Sequence, residues 1–301
     1  MSSSTKQCAF CAVACFLLAG AALAATDLKP EDVLQKHLAS IGSREALAGL
    51  KSRVVEGDAK YRVVVGGAGS AEGKAVIVSE GRKMQYLLKV SAQKFHGEKF
   101  LSDGDKTFVT GTYDDHSRSE LGELMRGEDL ALKEGLLGGS LSTAWPLLDM
   151  DAHKSKLKYL GRKKIDGTEL EALAYQPKKT SDMDITLYFD PETFRHVMTI
   201  YSIKRSSGLG MATFQSKEGG EVSIGAGATE ELSASRQETR YRIEERFSDF
   251  KTADGITLPS HYNLRFAEEL QSGFTKTVEW DILTTRVLNN PTLDPRNFQM
   301  P

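Results

Sequence analysis

The chain has 301 residues, 40% hydrophobic and 27% charged, with 39 basic side chains against 41 acidic ones. That near balance, with no face-sized basic block, lacks the electrostatic footprint of a nucleic-acid binder, so no nucleic acid is expected as a partner. The three cysteines, Cys8, Cys11 and Cys15, all fall near the start; if that stretch is removed, disulfides, thiolate nucleophiles and cysteine-bound metals are excluded together.

Residues 1–24 read as a signal peptide. Lys6 supplies the positive start, Cys8 to Leu23 form an apolar run too short and too poorly flanked for a stable membrane span, and Ala22-Leu23-Ala24 offers the small-x-small cleavage site. Competing readings are an uncleaved anchor and, third, lipidation at Cys15 after Ala12-Val13-Ala14. Residues 25–301 then form one β-rich domain, long enough to build an ordinary core without covalent staples.

Pro30 to Leu50 carries Val33, Leu34, His37, Leu38 and Ile41 at helical spacing, with Pro30-Glu31-Asp32 as a first turn and Gly42 as a C-cap. His37 is expected as a half-buried helix residue rather than a ligand. From Ser52 the period changes to two. Val54-Val55, Tyr61 to Val65, Ala75 to Val78, Met84 to Val90, Phe95 to Leu101 and Thr107 to Thr110 are short β-branched or aromatic runs separated by Gly66-Gly67, Gly81-Arg82 and Asp103-Gly104. Such runs make an antiparallel meander.

Ser119 to Leu148 is helical in pattern, with Leu121, Leu124, Met125, Leu132 and Leu136 between charged residues, a break at Gly138-Gly139, and Trp145-Pro146 beyond it. A second meander follows. Asp166-Gly167, Asp190-Pro191-Glu192-Thr193 and Asp254-Gly255 punctuate runs at Lys156–Ile165, Leu170–Tyr175, Ile185–Phe189, His196–Ile203, Tyr241–Phe250 and Ile256–Phe266, and Phe274 to Leu288 closes it. Tyr241, Ile243 and Phe247 alternate with polar neighbours except at Glu245, and Phe250 falls out of phase, which predicts a bulge. The basic clusters Lys154-Ser155-Lys156-Leu157-Lys158 and Arg162-Lys163-Lys164 read as the solvated face and end of a strand. Residues 205–235, rich in Gly and Ser, read as a flexible insertion. Phe298 is expected to dock on something apolar. The fold class is therefore α+β: a large curved antiparallel sheet with helices on one face or in its mouth.

The search for chemistry is mostly negative. The six histidines show no pair at ligand spacing on one element, so no metal site and no cofactor are assigned. His116 with Asp114 and Asp115 precedes a helix and reads as capping. Asp103-Gly104-Asp105 starts like a calcium loop, but Phe108 and Asp114 stand where glycine and a bidentate glutamate are needed. There is no Gly-x-Ser-x-Gly elbow and no Walker A sequence. No catalytic residue is assigned, and the chain is expected not to be an enzyme; a hydrolase using distant acids is the minority reading.

What remains is the apolar inventory. Its plain reading is a filled core. Its sharper reading is that a strongly curved sheet encloses more volume than its own side chains fill, leaving room for helices or a ligand. Candidate lining residues are Tyr61, Val63, Tyr86, Leu88, Tyr241, Ile243, Phe247, Tyr262, Leu264, Phe266 and Trp280, with Leu121, Leu124, Met125 and Trp145 as a lid. Methionine and leucine on a helix suit a surface that repacks around variable apolar ligands.

The order of elements and several phrases resemble the LolA/LolB-like superfamily of envelope lipoprotein-localisation factors, and more closely its larger outer-membrane lipoprotein-sorting relatives. The phrases are Val33-Leu34-Gln35-Lys36-His37 with Ile41 to Leu47, Ile185 to Thr193, Glu245-Arg246-Phe247-Ser248-Asp249-Phe250, Asp254 to Pro259 and Asn290-Pro291-Thr292-Leu293-Asp294-Pro295. The resemblance implies an incomplete β-barrel with helices covering or filling its concave face. It also implies an apolar cavity for acyl chains and a periplasmic or outer-membrane-associated place for the protein. In the carriers an arginine locks the lid; Arg53 and Arg62 both lie on the first strand region and either could correspond. Three functions follow: a carrier or sensor of a lipid or lipoprotein acyl chain, an envelope module with a filled core that binds another protein, and an unrecognised hydrolase.

Overall fold

In the computed structural model, residues 28–91, 95–113, 118–207 and 237–300 are described. The signal-peptide reading, the His116 cluster and nearly all of the Gly/Ser-rich insertion lie outside them. Two helices open the chain, α1 (Pro30–Ile41) and α2 (Arg44–Ala48). The first meander is β1 (Ser52–Val65), β2 (Ser70–Glu80), β3 (Lys83–Val90), β4 (Gly97–Ser102) and β5 (Thr107–Gly111). Short helices α3 (Glu120–Gly127), α4 (Leu130–Lys133) and α5 (Met150–His153) follow. The second meander is β6 (Lys156–Ile165), β7 (Thr168–Gln176), β8 (Met183–Phe189), β9 (His196–Ser207), β10 (Gln237–Ala253), β11 (Ile256–Leu270) and β12 (Thr275–Asn289).

All twelve strands form one antiparallel sheet in the order β5-β4-β3-β2-β1-β12-β11-β10-β9-β8-β7-β6. The two meanders are joined by β1 pairing with β12. The sheet is open, with β5 and β6 as its two edges, so the barrel is not closed. It is nonetheless rolled. Tyr86 on β3 and Tyr262 on β11 are four strand spacings apart, roughly 19 Å on a flat sheet, yet their ring centroids are 6.1 Å apart.

The turns follow their chemistry. Asp166-Gly167 and Asp254-Gly255 have positive φ at both central residues, as a type I′ hairpin requires. Asp103-Gly104 differs: the Asp103 carboxylate accepts the backbone N–H groups of Asp105 and Lys106, an Asx turn.

Four expectations need correction. The helical part of the 119–148 stretch is shorter than its pattern implies: the one or two amphipathic helices expected are α3, eight residues ending at Gly127, and α4, four residues, and Gly135, Gly138 and Gly139 adopt positive φ in the turns beyond. Val54-Val55 and Tyr61–Val65 belong to one continuous fourteen-residue strand. No extra residue enters β10 before Phe250, since Ser248 pairs with His261 and Phe250 with Pro259 in unbroken register. Asp249, at φ 53°, turns the backbone instead and lets Phe250 pack against the core. His37, finally, is fully buried rather than half-buried.

One apolar cluster contains the inward residues of nearly every strand together with Leu121, Leu124, Met125, Leu132, Leu136, Leu141, Trp145 and Leu147. Alternation places it on one face of the sheet. A smaller cluster of Leu170, Ala172, Tyr188, Met198 and Ile200 lies on the opposite face. Phe298, in a short 3-10 turn at Pro295–Phe298, is buried with the Lys83 ammonium over its ring.

Candidate functional site

All fifteen expected lining residues belong to the main cluster. Tyr86, Leu88, Leu121, Leu124, Met125, Trp145, Ile243, Phe247, Tyr262, Leu264, Phe266 and Trp280 are buried; Tyr61, Val63 and Tyr241 are only partly covered. Those three lie at the same end of the sheet as the exposed apolar residues Val64, Val65, Leu270 and Phe274, around the β1–β2 and β11–β12 turns. Aromatic packing runs through the cluster. Phe247 stacks on Tyr262 at 5.0 Å, and Tyr61 lies 5.2 Å from Trp280 and 5.4 Å from Phe95.

A cavity bounded by Val55, Ala75, Ile77, Tyr86, Leu141, Tyr262 and Ile282 has a volume of about 10 Å³, roughly the room one water needs. Its walls include the Tyr86 and Thr284 hydroxyls, buried without a hydrogen-bond partner in the protein.

The 119–148 segment is tied to the sheet by polar bonds at its ends and middle. Ser119 caps α3 by accepting the Gly122 N–H, and its own N–H and Oγ–H donate to the buried Glu98 carboxylate on β4, at 3.1 and 2.7 Å. Gly122 leaves room for this arrangement, because a Cβ there would sit 2.2 Å from Glu98 Oε2 and push the carboxylate aside. Glu120 pairs with Lys276 on β12, and Glu128 with Arg205 on β9 at 2.8 Å. Thr107 on β5 donates to Asp129 at 2.8 Å. Further on, the Gly138 N–H donates to Glu245 Oε1 at 2.7 Å.

Glu245 explains the break in alternation along β10. Its side chain faces inward and accepts three hydrogen bonds, from Gly138, from Tyr262 at 2.6 Å and from Tyr201 at 2.6 Å. Tyr201 and Tyr262 reach it as diagonal neighbours on β9 and β11. Burial pushes both carboxyls up to about 7, against the donors that favour the charged form. They can therefore exchange a proton near neutrality.

Arg53 and Arg62 part company. Arg62 is exposed and pairs with Glu279. Arg53 is 1% exposed and donates from Nε to Asn289 at 2.9 Å and from Nη1 to the Ser140 carbonyl at 2.6 Å. Of the two, Arg53 alone reaches the 119–148 segment. Burial lowers its pKa to about 10, which leaves it charged at neutral pH.

Trp145 sits in a nest of rings. Its indole N–H donates to His37 Nε2 at 3.2 Å, and His37 Nδ1 donates to the Phe194 carbonyl at 3.1 Å, which fixes a neutral tautomer. Its ring stacks on His196 at 4.7 Å. Desolvation pushes His37 down to about 4 and His196 well below its ordinary value.

Sequence reasoning assigned no buried role to Glu98, Glu245 or His196, and placed His37 only half inside. Only Glu245 left a trace, as the polar residue on an apolar face. One further group lies on the outward face: His261 Nε2 is 2.6 Å from Asp281 Oδ1, and Ser248 Oγ is 3.3 Å from His261 Nδ1. These residues stand off the sheet into solvent, with His261 and Asp281 each about a third exposed. No group of three His, Cys, Asp or Glu side chains suited to a metal ion occurs among the described residues.

No family profile matches the chain, and no curated protein matches it. Solved structures do. One is a domain from Vibrio parahaemolyticus named for outer membrane lipoprotein sorting, 9% identical, with a TM-score of 0.46 over 89% of this chain and 94% of that one. Another is a LolA superfamily protein from Nitrosomonas europaea, 13% identical, with a TM-score of 0.43 over 91% and 98%. A third is a DUF1329 family protein from Desulfovibrio piger, 12% identical, with a TM-score of 0.44 over 89% of this chain and 96% of that one. At these identities and TM-scores the likeness says nothing about ligand, partner or mechanism here. No helix among the described residues is long and apolar enough to cross a membrane.

Proposed function

We propose that this chain is an exported, non-enzymatic envelope protein that takes a lipid or lipoprotein acyl chain into the rolled face of its sheet. The 119–148 segment is then a removable filling of that concave face. The observation that supports this reading is the way that segment is held. Its apolar side chains occupy the core, but it is built of short helices and glycine turns and tied down by a handful of polar bonds. Displacing such a strip exposes a continuous apolar trough, and an acyl chain restores the buried area that the strip gives up. The half-covered Tyr61, Val63 and Tyr241, beside Val64, Val65, Leu270 and Phe274, give an apolar way in.

A second reading is favoured by the small free volume: the core stays filled, and the protein serves as a binding module for another envelope protein. Native mass spectrometry of the purified protein, with and without added fatty acid, separates the two. The carrier reading expects an adduct of fatty-acid mass that survives desalting. A protein that stays at its own mass and leaves fluorescent fatty-acid probes untouched supports the filled module instead.

A further inference from the structure

The edge strand β6 carries an unusual charge pattern. Between Lys154 and Ile165 stand Lys154, Lys156, Lys158, Arg162, Lys163 and Lys164, all exposed, with no acidic residue among them. Arg162 pairs with Glu171 at 2.8 Å, with Glu169 at 3.8 Å; the five lysines form no ion pair with the described residues. Interior strands such as β1, β10 and β12 carry both signs.

The cations flank the edge on both sides. Leu157 and Tyr159 pack against the main core, so Lys156 and Lys158 point outward. The register shift before Gly161 reverses the phase. Arg162 then lies opposite the inward Glu171, and Lys163 opposite the outward Leu170. Lys156, Lys158 and Lys163 thus line the outward side, and Arg162 and Lys164 the inward side beyond the shift, of an edge strand ten residues long, about 33 Å.

Edge lysines also keep sheets from pairing with copies of themselves. The other edge, β5, manages with none, being five residues long with α3 packed against it. The same charge that repels a second β6 attracts an acidic strand. An added strand can set every second side chain beside the outward Lys156, Lys158 and Lys163 while its backbone pairs with the open edge, whereas a flat anionic surface uses the charge alone.

We propose that the open edge of β6 docks an extended acidic peptide segment of a partner protein, taken up as a thirteenth strand. Backbone hydrogen bonds would supply the register and the flanking lysines the selection for acidic side chains. The proposal is independent of whether the core admits an acyl chain.

The test is fluorescence anisotropy of labelled ten-residue peptides with the purified protein. A peptide alternating Glu and Val should bind, and its Lys/Val counterpart should not. Binding should fall at least tenfold when alternate residues of the Glu/Val peptide are N-methylated, and at least tenfold again in the surface variant K156E/K158E/K163E, with circular dichroism confirming its fold. No binding of the Glu/Val peptide overturns the proposal. So does equal binding of the N-methylated peptide, which needs charge alone. So too do phosphatidylglycerol vesicles captured through these lysines while the peptide is ignored.

Discussion

Glu98 and Glu245 couple the stability of this fold to pH. Each is buried, and each accepts a backbone N–H from the 119–148 segment. Their carboxyls sit near 7 rather than 4.5, so the folded state holds their protons more tightly than the unfolded state. Such groups make stability fall as pH rises from about 4.5 to about 7. His37 and His196 act in the opposite sense: kept neutral by burial, they make stability fall as pH drops below about 6.5. The two pairs offset each other between about pH 4.5 and 6.5. The expected profile is a plateau there, with a decline toward pH 8 that belongs to the glutamates. Below the plateau the histidines are joined by low-pKa carboxylates such as Asp190 and Glu244. Urea midpoints measured across this range should show that shape, and the E98Q/E245Q variant should lose most of the decline above pH 6. A wild-type midpoint that climbs from pH 6 to pH 8 contradicts the assignment.

Among the elements, α3 is the one whose attachment the carrier reading puts to the test. It buries Leu121, Leu124 and Met125, yet it spans only Glu120–Gly127 and is anchored from outside by the Glu120–Lys276 and Glu128–Arg205 pairs. Exposed pairs of this kind each contribute about 1 kcal/mol or less, so they steer the helix more than they clamp it. Joining residues 120 and 276 in the E120C/K276C variant with a short, reducible bis-thiosulfonate linker should abolish uptake of a fluorescent fatty acid, and reductant should restore it. Unchanged uptake with the link intact would place the way in elsewhere.

Much of this element structure was legible in the sequence. Period-two runs and Asp-Gly turns located the strands to within a few residues, because hairpin pairing is local and its turn residues are chemically constrained. The helical stretch was less legible. Leu121, Leu124, Leu132 and Leu136 keep a helical spacing, but the glycines at 135, 138 and 139 cut it into turns that only the sheet holds in place. Buried polar residues were the least legible. Arg53, Glu98 and His196 look in sequence like any solvated strand residue, and their partners lie far away along the chain, as Ser140 does for Arg53.

For the whole molecule, two meanders meet at the β1–β12 pair and roll one face inward without closing the sheet. A closed barrel has a fixed interior, whereas a sheet with two free edges can widen as its contents change. That difference allows a core with little empty volume to belong to a binding protein. The chain has two tryptophans, Trp145 at 1% and Trp280 at 0% exposure, both inside the rolled face. Bromine quenches indole fluorescence only at close approach, so a dibrominated stearate reports directly on whether an acyl chain reaches them. Titrated into the W145F variant, it should quench Trp280 saturably at one chain per protein, and unbrominated stearate should compete. Emission from Trp280 that stays constant at saturating lipid, with the protein folded, would show that the trough keeps its own filling and would contradict the account.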